Sequence, residues 1–251
     1  MPGAWNMAVD EFLFQRAGDD SATYLRFYQW ALPTVSLGYA QTAARVVDAA
    51  FCRRHGVDIV RRPTGGKLVL HHGEATYAVA SSDVETFTDT LRDSYQRISK
   101  ALLKGLELMG LTPSLAETSP PFYAKGTMPC FAFPARDEIE IAGKKIVGSA
   151  QKRTGALFLQ HGSIPMRKDE GLLASVSTPG KTPEREAGMT SIGEALGRTV
   201  EFAWVAERLC AGFSEFFGVE LEPLALGPED MASITTLCDT RYATDAWTFR
   251  S

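Results

Sequence analysis

The sequence predicts an α+β (mixed α/β) fold, with mixed β-sheets and helices packed on them. Two observations lead there. Strand-like and helix-period runs follow one another in the order helix, strands, helix, strands, helices, and no internal repeat or Gly/Ser linker separates them. The composition, 45% apolar and 22% charged, is that of an ordinary globular chain able to bury a sizeable core. Residues 1–251 are therefore expected to form a single domain.

Each element has a local reason. Asn6 is placed to cap a helix carrying Val9, Phe12 and Leu13 and ending near Gly18. Residues 24–30 and 34–38 have strand character and meet at Ala31-Leu32-Pro33. Residues 48–55 form a helix stopped by Gly56, followed by a strand at 57–62. A PTGG turn then leads into two strand-like runs, 67–70 and 75–80, which are expected to make a hairpin. Residues 86–109 carry Leu91, Tyr95, Ile98, Leu102 and Leu106 at helical spacing, with Gly110 as terminator. An irregular loop is expected over 114–129. A second hairpin joins 138–141 to 145–150 through Ala142-Gly143-Lys144, and one more strand covers 156–161. From Asp169 onward the pattern is helical, most strongly over 204–217.

Charge and cysteine content exclude several classes. A net charge of −4 and a pI near 5.7 do not suit a dedicated nucleic-acid binder. No apolar run of about 18 residues suggests a membrane span, and the acidic residues in the N-terminal run do not suit a signal peptide. Cys52, Cys130, Cys210 and Cys238 lack CxxC spacing and read as free thiols, so the expected location is cytoplasmic. Basic clusters at Arg53, Arg54, Arg61, Arg62 and Lys67, and at Lys144, Lys145, Lys152 and Arg153, suit an acidic protein partner; a solvated face is the commoner use.

The candidate chemistry centres on residues 59–80. Gly65 and Gly66 allow a ligand to approach the backbone, and Arg61 and Arg62 put positive charge beside them. Cys130 lies where a long loop re-enters the fold and is a candidate nucleophile if a neighbouring charge lowers its pKa; a buried structural thiol is the commoner alternative. Lys145 begins a strand and points opposite to Lys144. His71, His72 and Glu74 invite a metal reading, but alternation places His72 and Glu74 on one face and His71 on the other, so no metal site is expected. PTGGK is not a Walker loop, and GxSxG and GxGxxG are absent.

These blocks, in order, resemble the lipoate ligase, octanoyltransferase and biotin ligase superfamily. NMAVDE at 6–11, RFYQW at 26–30 and VSLGYAQ at 35–41 are similar to its opening blocks. RRPTGG at 61–66 with LHHGEATY at 70–77 is similar to its acyl-binding segment, and GKKIVGSAQKR at 143–153 with LQHGSI at 159–164 to its second signature. RYATDAW at 241–247 resembles the close of the Bacillus-type octanoyltransferases. Lys67 stands where the ATP-dependent ligases usually have a third glycine, and His72 where the family often has aspartate. The short octanoyltransferases carry a cysteine just before the His-Gly of the last signature, which this chain lacks.

The resemblance implies the biotin/lipoate ligase catalytic-domain fold and an acyl transfer. Octanoyl would pass from octanoyl-acyl carrier protein to the lysine of apo lipoyl domains, those of glycine cleavage H protein or the E2 of 2-oxoacid dehydrogenases. Cys130 and Lys145 take the catalytic places, and Arg62, Thr64, Gly65, Gly66, His71, Gly148, Ser149, His161 and Gly162 the substrate-binding places. No metal, cofactor, nucleic acid or membrane is implied. An ATP-dependent lipoate ligase, an amidotransferase between lipoyl domains and a non-catalytic lipoyl-protein-binding module are the other readings that the same blocks allow.

Overall fold

A computed structural model describes residues 1–117, 137–168, 171–178 and 188–250 of the chain. Its centre is a four-stranded antiparallel sheet, β1 (Tyr24–Tyr28), β5 (Glu74–Ser81), β10 (Leu157–Pro165) and β9 (Gly148–Thr154), in the order β1-β5-β10-β9. β5 is buried along its whole length because both faces of the sheet are covered. Alternation sorts its side chains: Ala75, Tyr77 and Val79 join Phe158 and Ile164 in one core cluster, and Ala78 and Ala80 join Leu159 in another. The first face packs on α4 (Leu91–Glu107) and α7 (Phe202–Phe217), the second on α1 (Gly3–Asp19) and α8 (Pro228–Leu237); two short helices, α5 (Leu172–Val176) and α6 (Ile192–Leu196), precede α7 in the chain.

A smaller sheet of three strands has β2 (Thr34–Leu37) at its centre, parallel to β3 (Asp58–Arg61) and antiparallel to β4 (Val69–His71). Helix α2 (Ala49–His55) covers it. As expected from sequence, Gly56 ends α2, at φ 66°; the Asp48 side chain caps its start by accepting from Phe51 N–H. A third, short sheet joins β6 (Ser114–Leu115), β7 (Ile139–Ile141) and β8 (Lys144–Lys145).

Several expectations change. β4 and β5 do not pair with each other: Gly73, at φ 67°, turns the chain from the small sheet into the large one. The second hairpin forms around Ala142 and Gly143, both at positive φ, but its return strand is cut after Lys145. Gly148 then starts β9 in the large sheet. The run at 86–109 is two helices, because Thr88 at φ 61° ends α3 (Val84–Phe87) and the Thr90 side chain caps α4. Asn6 lies inside α1, where its side-chain oxygen accepts from Arg26 Nη2 at 2.6 Å instead of capping. Among the described residues no helix is long and apolar enough to cross a membrane.

Helices α4 and α7 cross at two glycines. A Cβ on Gly212 would stand 2.3 Å from the Gly105 nitrogen and 2.9 Å from the Ala101 carbonyl oxygen, backbone atoms that cannot rotate away. Gly212→Ala is therefore expected to lower the unfolding free energy by about 1–3 kcal/mol, although alanine favours a helix by about 1 kcal/mol over glycine. Chemical denaturation measures it; an unchanged or raised midpoint would mean that the helices do not approach this closely.

Candidate functional site

A pocket of about 730 Å³, its open mouth included, lies between the two larger sheets and reaches the start of β9. Arg62, Gly66, His71, Lys145, Gly148, Ser149, His161 and Gly162, all marked by the sequence, line it. They come together because the chain changes sheet at Gly73 and again at Gly148. Thr64 is fully buried just behind the wall and bonds to His161.

One wall rests on Asp10, which is fully buried on α1. Arg26 Nη1 donates to its Oδ1 at 2.7 Å, and the Tyr28 hydroxyl to its Oδ2 at 2.8 Å. His161 Nδ1 lies 3.0 Å from the same Oδ2, and His161 Nε2 lies 2.6 Å from Thr64 Oγ1. Burial pushes the Asp10 carboxyl up, but the His161 hydrogen bond and the Arg26 charge overcome it, so the net shift is downward. For His161 burial is the largest influence and wins over Asp10, holding the imidazole below its ordinary value; Arg62 and His71 add to that. A neutral ring beside a carboxylate must keep its hydrogen on Nδ1, which leaves Nε2 to accept from Thr64.

The opposite wall is a second network. His71 Nδ1 meets Glu74 Oε1 at 2.6 Å, and Nε2 meets Ser36 Oγ at 2.7 Å. Thr76 and Ser163 also donate to Glu74, and Trp30 stacks on the His71 ring at 4.1 Å. The expected alternation therefore fails here. The positive φ of Gly73 puts His71 and Glu74 together and turns His72 outward, to Arg167. Among the described residues, no group of three or more His, Cys, Asp and Glu side chains is placed to hold a metal.

Of the two arginines, Arg62 lines the pocket and Arg61 does not. Arg61, 1% exposed, donates to the carbonyls of Gly38, Tyr39, Gln41, Thr248 and Arg250 and so staples the C-terminal segment to the 38–41 loop. Arg62 donates to the carbonyls of Ser36, Gly65 and Lys67 and shapes the turn. The basic clusters thin accordingly, since Arg61, Arg62 and Lys145 are all buried.

The glycines divide by cause. A Cβ on Gly162 would meet Gly148 O at 2.7 Å, so packing alone demands glycine there. Gly66 has φ 93°, and its carbonyl oxygen would lie 1.9 Å from a Cβ on Gly38. Gly65 has neither reason: its φ is not in the left-handed region, and a Cβ would meet nothing within 4 Å. It leaves open space beside Gly66, which lines the pocket; Gly65 itself does not.

Lys145 is 2% exposed, and its Nζ donates to Glu138 Oε1 at 2.6 Å; Lys144 points out to Glu194, on the opposite face as expected. Such a buried ion pair costs desolvation that only good geometry offsets. Ser149 Oγ is 2.7 Å from the Tyr77 hydroxyl, whose pKa burial pushes up to about 12. Cys130 lies outside the described residues. Of the other cysteines, burial pushes the Cys52 thiol up to about 11 and raises Cys210 and Cys238, and none of the three lines the pocket. Sequence reasoning missed Asp10 and Glu138 as site residues, and weighed Glu74 only as a metal ligand. For Asp10 a signal existed, a charge beside Val9 on the apolar run of a helix; for Glu138 none did.

Known proteins resemble the chain in sequence and in fold. The family profile described as "Lipoyl protein ligase A/B catalytic domain" matches residues 2–214. The chain is 37% identical over 257 residues to octanoyltransferase LipM of Carboxydothermus hydrogenoformans, covering 99% of this chain and 95% of that one. It is 35% identical over 263 residues to octanoyltransferase LipM of Geobacillus kaustophilus, with coverage of 99% and 95%. A crystal structure of lipoate-protein ligase A bound with ATP shares the fold with TM-score 0.84 at 22% identity, covering 99% of this chain and 95% of that one. A bipartite lipoate protein ligase from Thermoplasma acidophilum does so with TM-score 0.74 at 22% identity, with coverage of 99% and 93%.

The pair Asp10–His161 makes acid stability testable. With its pKa lowered in the fold, His161 lets the unfolded chain take up a proton first as pH falls. Its contribution is present above about pH 6.5, the ordinary histidine value, and is lost as pH falls below that toward the lowered folded value. Asp10, also lowered, contributes above the ordinary carboxylate value and is lost only at more acid pH. Thermal melts from pH 7 to pH 5 should show a falling melting temperature, and His161→Gln should flatten that fall. Equal slopes in the two proteins would contradict it.

Proposed function

This chain belongs to the lipoyl protein ligase A/B catalytic family, and on that premise we propose that it is an octanoyl-acyl carrier protein:protein N-octanoyltransferase acting in the cytoplasm as one domain. The observation that carries the reading is likeness over the full length to octanoyltransferases, well above the identity at which only a fold is shared. The chemistry divides into two halves. Cys130 Sγ attacks the carbonyl of the octanoyl thioester, the bond from that carbon to the carrier's sulfur breaks, and the carrier thiol leaves with a proton. The amine of a lipoyl-domain lysine then attacks the octanoyl-Cys130 thioester, forms the amide, and returns the cysteine with the displaced proton. No nucleotide is needed, because the incoming thioester already holds the activation energy.

Lys145 has the role of setting a positive group against the thiolate and the acyl carbonyl oxygen. Bringing a thiol of pKa about 8.5 to near 7 takes about 2 kcal/mol of such help. Glu138 holds Lys145 at the pocket wall, and the open space over Gly65 suits the acyl chain or its carbonyl. The pocket distinguishes chain lengths by only about 1 kcal/mol per methylene. The acceptors are apo lipoyl domains, those of glycine cleavage H protein or of E2 subunits.

Intact-mass spectrometry after mixing with octanoyl-acyl carrier protein, without ATP, tests the reading. One octanoyl adduct on Cys130 is expected, discharged by an apo lipoyl domain and absent in Cys130→Ser. Lys145→Ala should slow adduct formation by about 100-fold, and Glu138→Gln by about tenfold. An adduct that survives in Cys130→Ser sinks the mechanism, and activity only with ATP and free octanoate or lipoate would make the chain a ligase.

A further inference from the structure

Three buried side chains, far apart in the sequence, form one hydrogen-bonded line that ends at the Gly65–Gly66 turn. It begins at Asp10 on α1, passes through His161 on β10 and reaches Thr64, with His161 exposed by 5% and the other two not at all. With its Nδ1 hydrogen committed to Asp10, His161 accepts the Thr64 hydroxyl hydrogen at Nε2, which holds the Thr64 side chain in one orientation. The Thr64 carbonyl accepts from Tyr39 N–H at 2.8 Å, so this residue is held from both its side chain and its backbone. Gly65, which follows, has nothing within 4 Å of where its Cβ would be. The turn is held by Thr64 on one side, by the Arg62-held carbonyls of Gly65 and Lys67 on the other, and by the close packing of Gly66 on Gly38.

We propose that Asp10, acting through His161 and Thr64, is a positioning residue that holds the Gly65–Gly66 turn in the geometry that receives the acyl group. The inference rests on the octanoyl reading above. Asp10 touches no ligand in this scheme; it orients the imidazole, which in turn orients the hydroxyl. The charged groups around the line are Arg26 behind Asp10, and Arg62 and His71 on the pocket side of His161. A network that served the core alone would contribute to stability without discriminating ligand geometry.

The test is calorimetric binding of the amide analogue of octanoyl-pantetheine, which cannot be transferred, to the whole chain. Thr64→Val keeps the shape of the side chain and removes the hydroxyl; it should weaken binding about tenfold, the effect of one lost buried hydrogen bond. Thr64→Ser restores the hydroxyl and should bind within about twofold of the unaltered protein. His161→Gln and Asp10→Asn should fall in the weak class, with melting curves run on each to show that they are folded. Wild-type affinity in Thr64→Val overturns the proposal, as does a Thr64→Ser protein as weak as Thr64→Val, since shape rather than the hydroxyl would then matter. An unaltered protein that does not bind the analogue overturns the octanoyl reading and this inference with it, a result distinct from either variant pattern.

Discussion

The carboxylate of Asp10 is the constraint on which the arrangement rests. A buried charge is tolerated only when paired and hydrogen-bonded, and Asp10 is satisfied by Arg26, Tyr28 and His161 together. Those partners belong to β1 and β10, so the ionic and hydrogen-bonding demand of one side chain fixes α1 across the edge and the interior of the large sheet at once. Helix α1 is buried on nearly all sides between that sheet and α8, where an apolar stripe alone would leave its rotation poorly specified. Asp10 supplies a directional contact that apolar packing lacks.

The pocket is a product of sheet switching. Gly73 carries the chain out of the small sheet, and the break after Lys145 carries it from the short hairpin into β9. At each switch the strand that ends and the strand that begins belong to different sheets, which is how His71, Glu138 and Lys145 come to line one pocket. The buried Arg61 closes the assembly from behind by collecting carbonyls from the 38–41 loop and from the C-terminal segment. The positive charge that looks in the sequence like a ligand group is spent on backbone.

Much of the fold was legible because its causes are local. The Gly56 stop acts within one helical turn, and the Ala142-Gly143 hairpin is set by two residues at positive φ. The opposite orientations of Lys144 and Lys145 follow from strand alternation. Legibility failed where the deciding partner is remote. Residues 69–71 have strand character in any reading, but whether they pair with the next strand or with β2 depends on which edge the folded sheets leave available. The alternation argument at His71, His72 and Glu74 failed because it assumes an unbroken strand, and Gly73 breaks it.

By itself the sequence determined the mixed α/β class, most element positions, the family, and part of the pocket lining, because periodicity, glycine stops and ordered motifs are written in neighbouring letters. Only the tertiary structure decided how those residues are used. Asp10 became an anchor, Arg61 a staple, Gly162 a packing requirement and Gly65 an opening, while Glu138 acquired a role beside Lys145 that no pattern announces. The physical reason is that burial, hydrogen-bond partnership and steric clearance are properties of atoms brought together from distant parts of the chain, and they exist only after the sheets and helices have closed on one another.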